Sequence, residues 1–187
     1  MSEADLIARA RRGDDTAWAA LVEEHQRPIF RLAYLLLSDA DDAEDVAQEA
    51  FIRAYHALDR FDDTRLLRPW LLSITANLAR NRRRSTGRFL GALARAARGE
   101  PEVVSTLGER SGEQWEAGAL RQAVRRLQHA DQEVIYLRYF LDLNEAEMSQ
   151  TLGIAAGTVK SRLHRSMNRL RAVVDRDFPA LREEREA

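Results

Sequence analysis

The side chains with the most evident chemistry lie in one basic segment near the C-terminus. Its apolar positions Val159, Leu163 and Met167 are four residues apart, as on one face of a helix. Between them lie side chains that carry positive charge or donate hydrogen bonds: Lys160, Ser161, Arg162, His164, Arg165 and Arg169. No Asp or Glu occurs from Gly153 to Val174. Because such groups bind phosphates and base edges, we expect the segment to bind DNA, although a solvated basic face has the same composition.

The residues before this segment predict how it is positioned. Asn144 can accept a hydrogen bond from a free amide of a first helical turn, and Glu147, three residues later, can return one. A short helix therefore begins near Asn144, and Gly153 lets the chain leave it sharply. Two helices joined by a glycine turn, of which the second is basic, form a helix-turn-helix motif.

Charge is segregated in the N-terminal half of the chain, although the net charge is only -1. Nine acidic residues and two arginines lie between Asp39 and Asp63. From Thr64 to Gly99 there are nine arginines and no acidic residue. Adjacent surfaces of opposite sign indicate two different partners, one basic or neutral and one polyanionic.

The composition excludes several classes of site. The 187 residues contain no cysteine, which rules out disulfides, thiolate metal sites and cysteine nucleophiles. The four histidines, at 25, 56, 129 and 164, lack metal-ligand spacing, and no phosphate-binding glycine loop or nucleophile elbow occurs. We therefore expect no catalysis, no metal and no cofactor. No run approaches the roughly 20 apolar residues of a membrane span and no signal peptide is recognisable, so we expect a cytoplasmic protein without membrane insertion.

Apolar periodicity predicts four helices in the N-terminal part. The first ends near Gly13, the second is capped by Asp14 or Asp15, and Pro28 kinks or splits it. The fourth follows Pro69. The third begins in the acidic cluster 39–45 and carries one apolar stripe, formed by Ala43, Val46, Ala47, Ala50, Ala54 and Leu58.

These elements predict an all-α fold of two small helical domains joined by a flexible linker. Residues 1–84 form the first domain. Residues 85–114 hold five of the nine glycines and have weak periodicity, so they form the linker, with FLGALARAARG as at most a transient helix. Residues 115–178 form the second domain, with helices over 115–127 and 132–141 before the helix-turn-helix. Residues 179–187 form a charged tail.

Three stretches of the sequence resemble a single family. They are DAEDVAQEAFIRAYHALDRF, RPWLLSITANLARNRRR and LNEAEMSQTLGIAAGTVKSRLHRSMNRLR, and together they resemble bacterial RNA polymerase sigma factors. The short chain, with only a linker between its domains, is similar to the extracytoplasmic-function (ECF) group, in which the two domains are sigma regions 2 and 4. The resemblance implies a factor that binds RNA polymerase core and directs promoter-specific transcription initiation.

The resemblance also implies that the third helix docks on the clamp helices of the polymerase β′ subunit. The expected contacts lie on the face opposite the apolar stripe: Asp45, Gln48, Glu49, Ile52 and Arg53. A solvated acidic face is the alternative, and an Ile on that face argues against it. We also expect contact with the β flap, and an anti-sigma factor that covers these surfaces.

By the same resemblance, the loop 59–68 and the fourth helix bind the non-template strand of the minus-ten promoter element. The candidate residues are Phe61, Arg65, Asn77, Arg80, Asn81 and Arg84. Asn77 has the paired donor and acceptor that can read a flipped base, and arginines 82 to 84 suit phosphates. Core packing is an equal alternative for Phe61 and the favoured one for Trp70.

The helix-turn-helix is expected to bind the minus-thirty-five element in the major groove. Thr158 would lie near a phosphate at the N-terminus of the recognition helix. The candidates for base edges are Lys160, Ser161, His164 and Arg165, and those for phosphates are Arg162 and Arg169.

Two other functions fit part of the sequence. An autonomous helix-turn-helix transcriptional regulator would bind duplex DNA unaided. A helical adaptor would bind only protein, and the two arginine-rich segments without acids argue against it. A sigma factor is expected to bind promoters well only when polymerase fixes the spacing of its two domains.

Overall fold

The computed structural model describes the backbone of residues 2–97 and 112–183 and the side chains of residues 2–86 and 118–181. The N-terminal part consists of α1 (Glu3–Arg11), α2 (Asp15–Leu37), α3 (Ala40–Ala57), a 3₁₀ turn (Leu58–Arg60) and α4 (Leu67–Ala97). The C-terminal part consists of α5 (Gly112–Arg125), α6 (His129–Ile135), a π-helical turn (Tyr136–Phe140), α7 (Glu145–Leu152), α8 (Ala156–Asp177) and α9 (Ala180–Glu183). The described residues form no strand, which confirms the all-α prediction.

Polar caps start the N-terminal helices where the sequence predicts them. Asp14 is the N-cap of α2, and its side chain accepts hydrogen bonds from two amides of the first turn. Asp39 caps α3 by accepting from the amide of Asp42. Gly13, with φ of +83°, has the left-handed conformation that ends α1 without steric cost.

Pro28 lies inside α2 without dividing it. The helix is continuous from Asp15 to Leu37, so a split at Pro28 does not occur. Proline removes one backbone hydrogen bond, but α2 buries Leu21 before Pro28 and Ile29 after it, and the helix packs on α3 and α4. Packing therefore outweighs the local cost.

The small residues of α3 form the centre of the N-terminal core. All six members of the predicted apolar stripe are buried, and α3 packs against α2 and α4. Four of them are alanines, which let neighbouring helices approach closely. The opposite face of α3 is thereby turned to solvent.

The helix-turn-helix has the geometry that the sequence predicts. Asn144 and Glu147 form a capping box at the start of α7, with each side chain bonded to the backbone amide of the other. Gly153 ends α7 in the left-handed region, with φ of +65°. Met148 of α7 and Val159 of α8 are fully buried, so the two helices are held at a fixed angle.

Helix α4 extends into the segment predicted as a linker. Its backbone is helical to Ala97, beyond the predicted domain end at residue 84. Ala, Leu and Arg, which have high helix propensity, fill this extension and compensate for Gly87 and Gly91, each of which costs about 1 kcal/mol. Helix α5 begins at Gly112, slightly before its predicted start at residue 115. The rest of the predicted linker, 98–111, lies outside the described residues.

The two parts of the chain contact each other directly. Helix α4 packs against α7, and α2 contacts the π-helical turn. Nη2 of Arg68 donates to the carbonyl of Leu141 over 2.6 Å, and the hydroxyl of Thr151 lies 3.3 Å from the carbonyl of Pro69. Nowhere in the described segments is a helix both apolar and long enough to traverse a membrane.

Candidate nucleic-acid interface and acidic face

The basic face of α8 is exposed, as predicted for a recognition helix. Val159 anchors the helix from the inside, and Arg162 is half-buried. The hydroxyl of Ser161 and the guanidinium of Arg165 bond to carbonyls of their own helix, at 3.1 and 3.2 Å. Apart from Arg162, the candidates are all exposed: Thr158, Lys160, Ser161, His164, Arg165 and Arg169. The arrangement gives one cationic surface with both charged and neutral donors.

Arg169 lies at the end of this surface and bonds to a buried carboxylate. Its Nη1 lies 2.9 and 2.7 Å from the two oxygens of Asp131 in α6. The hydroxyl of Ser166 donates to the same carboxylate over 2.6 Å. Asp131 is 3% exposed, so this contact fixes α8 on α6. Nothing in the sequence marks Asp131, because its partners Ser166 and Arg169 lie 35 and 38 positions away.

On α4, three predicted minus-ten residues share an exposed face. Asn77, Asn81 and Arg84 are exposed and occur at intervals of four and three residues. Arg80 is half-buried, and its guanidinium donates to Asn77 and to Glu133 of α6. Arg80 is therefore engaged by the second domain, which the sequence did not indicate.

Phe61 is a core residue. Its side chain is 5% exposed, and its ring centroid lies 4.7 Å from that of Trp70, which is half-buried. Of the two alternatives for Phe61, the structure favours packing, because a ring in this position is not available to stack on a base. Arg65, in the same loop, is exposed.

Arg11 fixes the loop between α3 and α4. Its guanidinium donates to the carbonyls of Leu58 and Phe61 and forms an ion pair with Asp63 at 2.8 Å. These contacts join α1 to the turn that leads into α4. A single arginine at the end of a predicted helix carries no sequence signal for such a role.

The five predicted polymerase contacts occur on one outward face of α3. Ile52 is 53% exposed, an unusual environment for this side chain. Glu49 and Arg53 form an ion pair at 2.7 Å, one turn apart. Tyr55, three residues after Ile52, is also exposed and packs on the ring of Trp18 at 5.2 Å between centroids. No charge or motif in the sequence distinguishes Tyr55.

Arg82 of α4 bonds to the acidic helix rather than lying free for phosphate. Its guanidinium donates to Asp42 at 2.8 Å and to Asp45 at 2.6 Å. The hydrogen bond to Asp42 is the main cause of the raised pKa of Arg82. The exposed acidic face is thus partly neutralised at Asp45.

One group of described residues brings three possible metal ligands together. Glu3, Glu24 and His25 have ligand atoms within 4.8 Å of one another. His25 is buried, and its Nε2 lies 3.0 Å from Oε1 of Glu3. A hydrogen bond between these two atoms explains why the side chains lie together.

The domain organisation matches two known protein-family models. Residues 21–89 match sigma-70 region 2, and residues 117–170 match sigma-70 region 4. Region 2 includes α3 and most of α4, and region 4 includes the helix-turn-helix.

Similar proteins cover nearly the whole chain. The ECF RNA polymerase sigma factor SigW of Bacillus subtilis (strain 168) is 34% identical over 88% of this chain and 92% of its own length. SigL of Mycobacterium tuberculosis (strain ATCC 25618 / H37Rv), also an ECF sigma factor, is 32% identical over 88% of this chain and 93% of its own.

Two solved structures have a similar fold. CnrH in complex with the cytosolic domain of CnrY has a TM-score of 0.69 at 26% identity, covering 92% of this chain and 96% of that one. The sigma factor RpoE in complex with the anti-sigma factor NepR from Bartonella quintana has a TM-score of 0.62 at 25% identity, covering 85% and 97%. With both family models matched in order and these relatives aligned over 85% or more of its length, the chain belongs to the ECF group of bacterial RNA polymerase sigma factors, which direct promoter-specific transcription initiation.

Proposed function

We propose that α3 docks on polymerase core while α4 and α8 bind two separate promoter elements. The observation that supports this assignment is the distribution of exposed side chains. An acidic face with an exposed Ile52 lies on one helix, and cationic faces lie on two others in different domains. Each cationic surface is small, so the affinity for a whole promoter depends on polymerase holding both at the correct separation.

The minus-thirty-five element is read by the exposed face of α8. The groups that reach base edges are those of Lys160, Ser161, His164 and Arg165. Thr158, in the first turn of α8, contacts a phosphate, for which free amides at a helix N-terminus are well suited. Arg162 and Arg169 neutralise backbone charge, and the bond to Asp131 orients Arg169 for this role.

The minus-ten element is bound as a single strand by α4 and the loop before it. Asn77 and Asn81 offer amide groups that can pair with exposed base edges, and Arg65, Arg80 and Arg84 follow the phosphates. Phe61 supports this surface from below by packing on Trp70, which fixes the loop that carries Arg65.

The polymerase contacts are the β′ clamp helices for α3 and the β flap for the second domain. Exposed apolar groups beside charges are typical of interfaces in which a small apolar centre is ringed by polar contacts. Ile52 has this position between Gln48, Glu49 and Arg53, with Asp45 at the edge.

We infer that the chain is a non-catalytic initiation factor that acts in the cytoplasm with polymerase and needs no cofactor. We also infer an anti-sigma factor as a partner. CnrH is solved with CnrY, and RpoE of Bartonella quintana with the anti-sigma factor NepR. A protein that covers the faces of α3 and α4 would block polymerase and promoter binding together.

Reconstitution with core polymerase tests the proposed function. Run-off transcription on genomic promoter fragments is expected to require both core and this chain. Gel-shift titrations are expected to show specific promoter binding only when core is present. Specific binding of similar strength by the isolated chain would instead indicate an autonomous regulator, and absence of initiation would contradict the proposal.

A further inference from the structure

One buried carboxylate lies between the two predicted DNA-binding helices. The side chain of Glu133 in α6 is 8% exposed and accepts a hydrogen bond from Arg80 of α4. A cavity of about 320 Å³ adjoins this contact, lined by Arg80, Arg83 and Arg84 from α4 and by His129 and Glu133 from α6. An acid from the second domain thus lies within the arginine cluster of the first.

The charges around Glu133 come from both domains. Burial raises the pKa of its carboxyl, and the positive charges of Arg80, Arg162 and Arg83 oppose that shift. Arg162 belongs to α8, so arginines of the minus-ten helix and of the recognition helix act on the same carboxylate. Arginine binds carboxylate and phosphate with the same planar donor geometry. A carboxylate in this position therefore competes with nucleic-acid phosphate for the same donors.

We propose that Glu133 is an internal substitute for promoter phosphate, holding α4 against the second domain in a closed form that cannot bind the minus-ten strand. The proposal rests on the proposed function of α4. Promoter binding then requires separation of the domains, which exposes Arg80 and the cavity beside it. In this proposal core polymerase drives the step by binding the two domains at a greater separation.

The polar contacts that close the two domains carry a cost. Burying the ionised Glu133 is costly, and Arg80 is itself one-third exposed, which weakens the attraction that compensates for this cost. Within the described residues, other bonds between the domains include Arg68 to the carbonyl of Leu141 and Thr151 to that of Pro69, and α4 also packs on α7. Nε of Arg68 is buried without a hydrogen-bond partner in the described part of the chain, a further cost of closure.

Distance measurements between the domains test the proposal. The chain has no cysteine, so Ala40→Cys and Ala172→Cys, both at exposed positions, give a unique pair for spin labels. In the full-length chain we expect one dominant distance. Glu133→Gln is expected to add a population at longer distances, because the arginines lose their charged partner. Glu145→Gln, an exposed acid of α7, is the matched control and is expected to leave the distribution unchanged.

Binding of a labelled single strand of about 12 nucleotides gives a second readout without polymerase. We expect Glu133→Gln to bind at least about threefold more tightly than the parent chain and Glu145→Gln to bind like it. If Glu133→Gln does not fold, Arg80→Gln removes the other partner of the same ion pair. This variant is expected to change the distance distribution but not to bind the strand more tightly, because Arg80 is itself proposed to bind phosphate.

An unchanged distance distribution in the folded variant would overturn the role of Glu133 in the closed form, and so would unchanged strand affinity. If the parent chain directs initiation with core while both readouts are unchanged, Glu133 has no regulatory role and the proposed function stands. If the parent chain fails to direct initiation, the proposed function fails, and the distance measurement still decides whether Glu133 closes the two domains.

Discussion

Nη2 of Arg82 in α4 donates to Oδ2 of Asp45 in α3 over 2.6 Å. This bond joins the helix proposed to contact polymerase to the helix proposed to contact the promoter. Arg82 also bonds to Asp42, so one guanidinium connects two carboxylates of α3. The relative position of the two helices is therefore fixed at the surface as well as in the core.

We expect Arg82→Gln to lower the free energy of unfolding only slightly. The Arg82 side chain is 40% exposed, so solvent screens its ion pairs, and the loss should be about 0.5–1 kcal/mol. Urea denaturation at low salt and at about 1 M NaCl measures it, and the difference between variant and parent should shrink in high salt. A loss of equal size in both conditions would show that the charges are not its cause.

Glu49→Lys should weaken binding to core polymerase by about tenfold and leave the fold intact. Glu49 lies on the outward face of α3, where reversal of its charge also breaks the bond with Arg53. Affinity for core can be measured by fluorescence anisotropy, with circular dichroism as the check on folding. Glu145→Lys, on an exposed part of α7, is the control. Parental affinity of Glu49→Lys for core would remove Glu49 from the interface.

Arg165→Ala is expected to reduce transcription unequally across variants of the minus-thirty-five element. A bidentate bond from arginine to guanine discriminates by about 1–3 kcal/mol, so the loss should disappear on templates without the preferred base. Arg162→Ala, assigned to phosphate, should reduce transcription uniformly. Competition run-off assays on a set of single-base variants distinguish the two patterns, and a uniform loss for Arg165→Ala would reassign it to phosphate.

Asp131→Ala should destabilise the second domain by about 2 kcal/mol or more. The substitution leaves the buried hydroxyl of Ser166 without its acceptor and removes the bonds to Arg169. Denaturant unfolding measures the change. Arg171→Ala, on an exposed part of the same helix as Arg169, should have little effect on stability. A similar loss in both variants would contradict a specific role for Asp131.

Asp14 should contribute to the acid sensitivity of the protein. Hydrogen bonds from Thr16 and Arg9 hold the pKa of its carboxyl well below the ordinary value. A carboxyl whose pKa is lower in the folded state stabilises the fold at pH values above its unfolded pKa, near 3.9. This stabilisation is lost as the pH falls toward the folded pKa. Asp14→Asn keeps an acceptor at the cap and should therefore lose less stability than the parent between about pH 4 and pH 2. Identical pH profiles would exclude Asp14 as a source of the sensitivity.

Local features of the fold could be predicted from sequence because their causes are local. The caps at Asp14, Asp39 and Asn144 depend on residues within three positions, and the buried stripe of α3 follows helical periodicity. The exposed faces of α3 and α8 follow from the same periodicity. Helix α4 is the exception, since glycines and a weak pattern hid the helical propensity of residues 85–97.

Long-range contacts could not be predicted, because no periodic pattern marks them. Arg80 and Arg82 belong to one run of basic residues, yet they pair with acids 53 and 40 positions away, respectively. From the sequence both are predicted to bind promoter DNA. Phe61 shows the same limit, since a polar loop gives no indication that Trp70 covers its ring.

The three bonds of Arg11 have a practical consequence for handling the protein. They brace the turn before α4 against the first helix, although that helix contributes no residue to the proposed contact surfaces. A bulky fusion that displaces α1 would loosen the entry into the minus-ten helix from a distance. Purification tags are therefore better placed after the last residue than before the first.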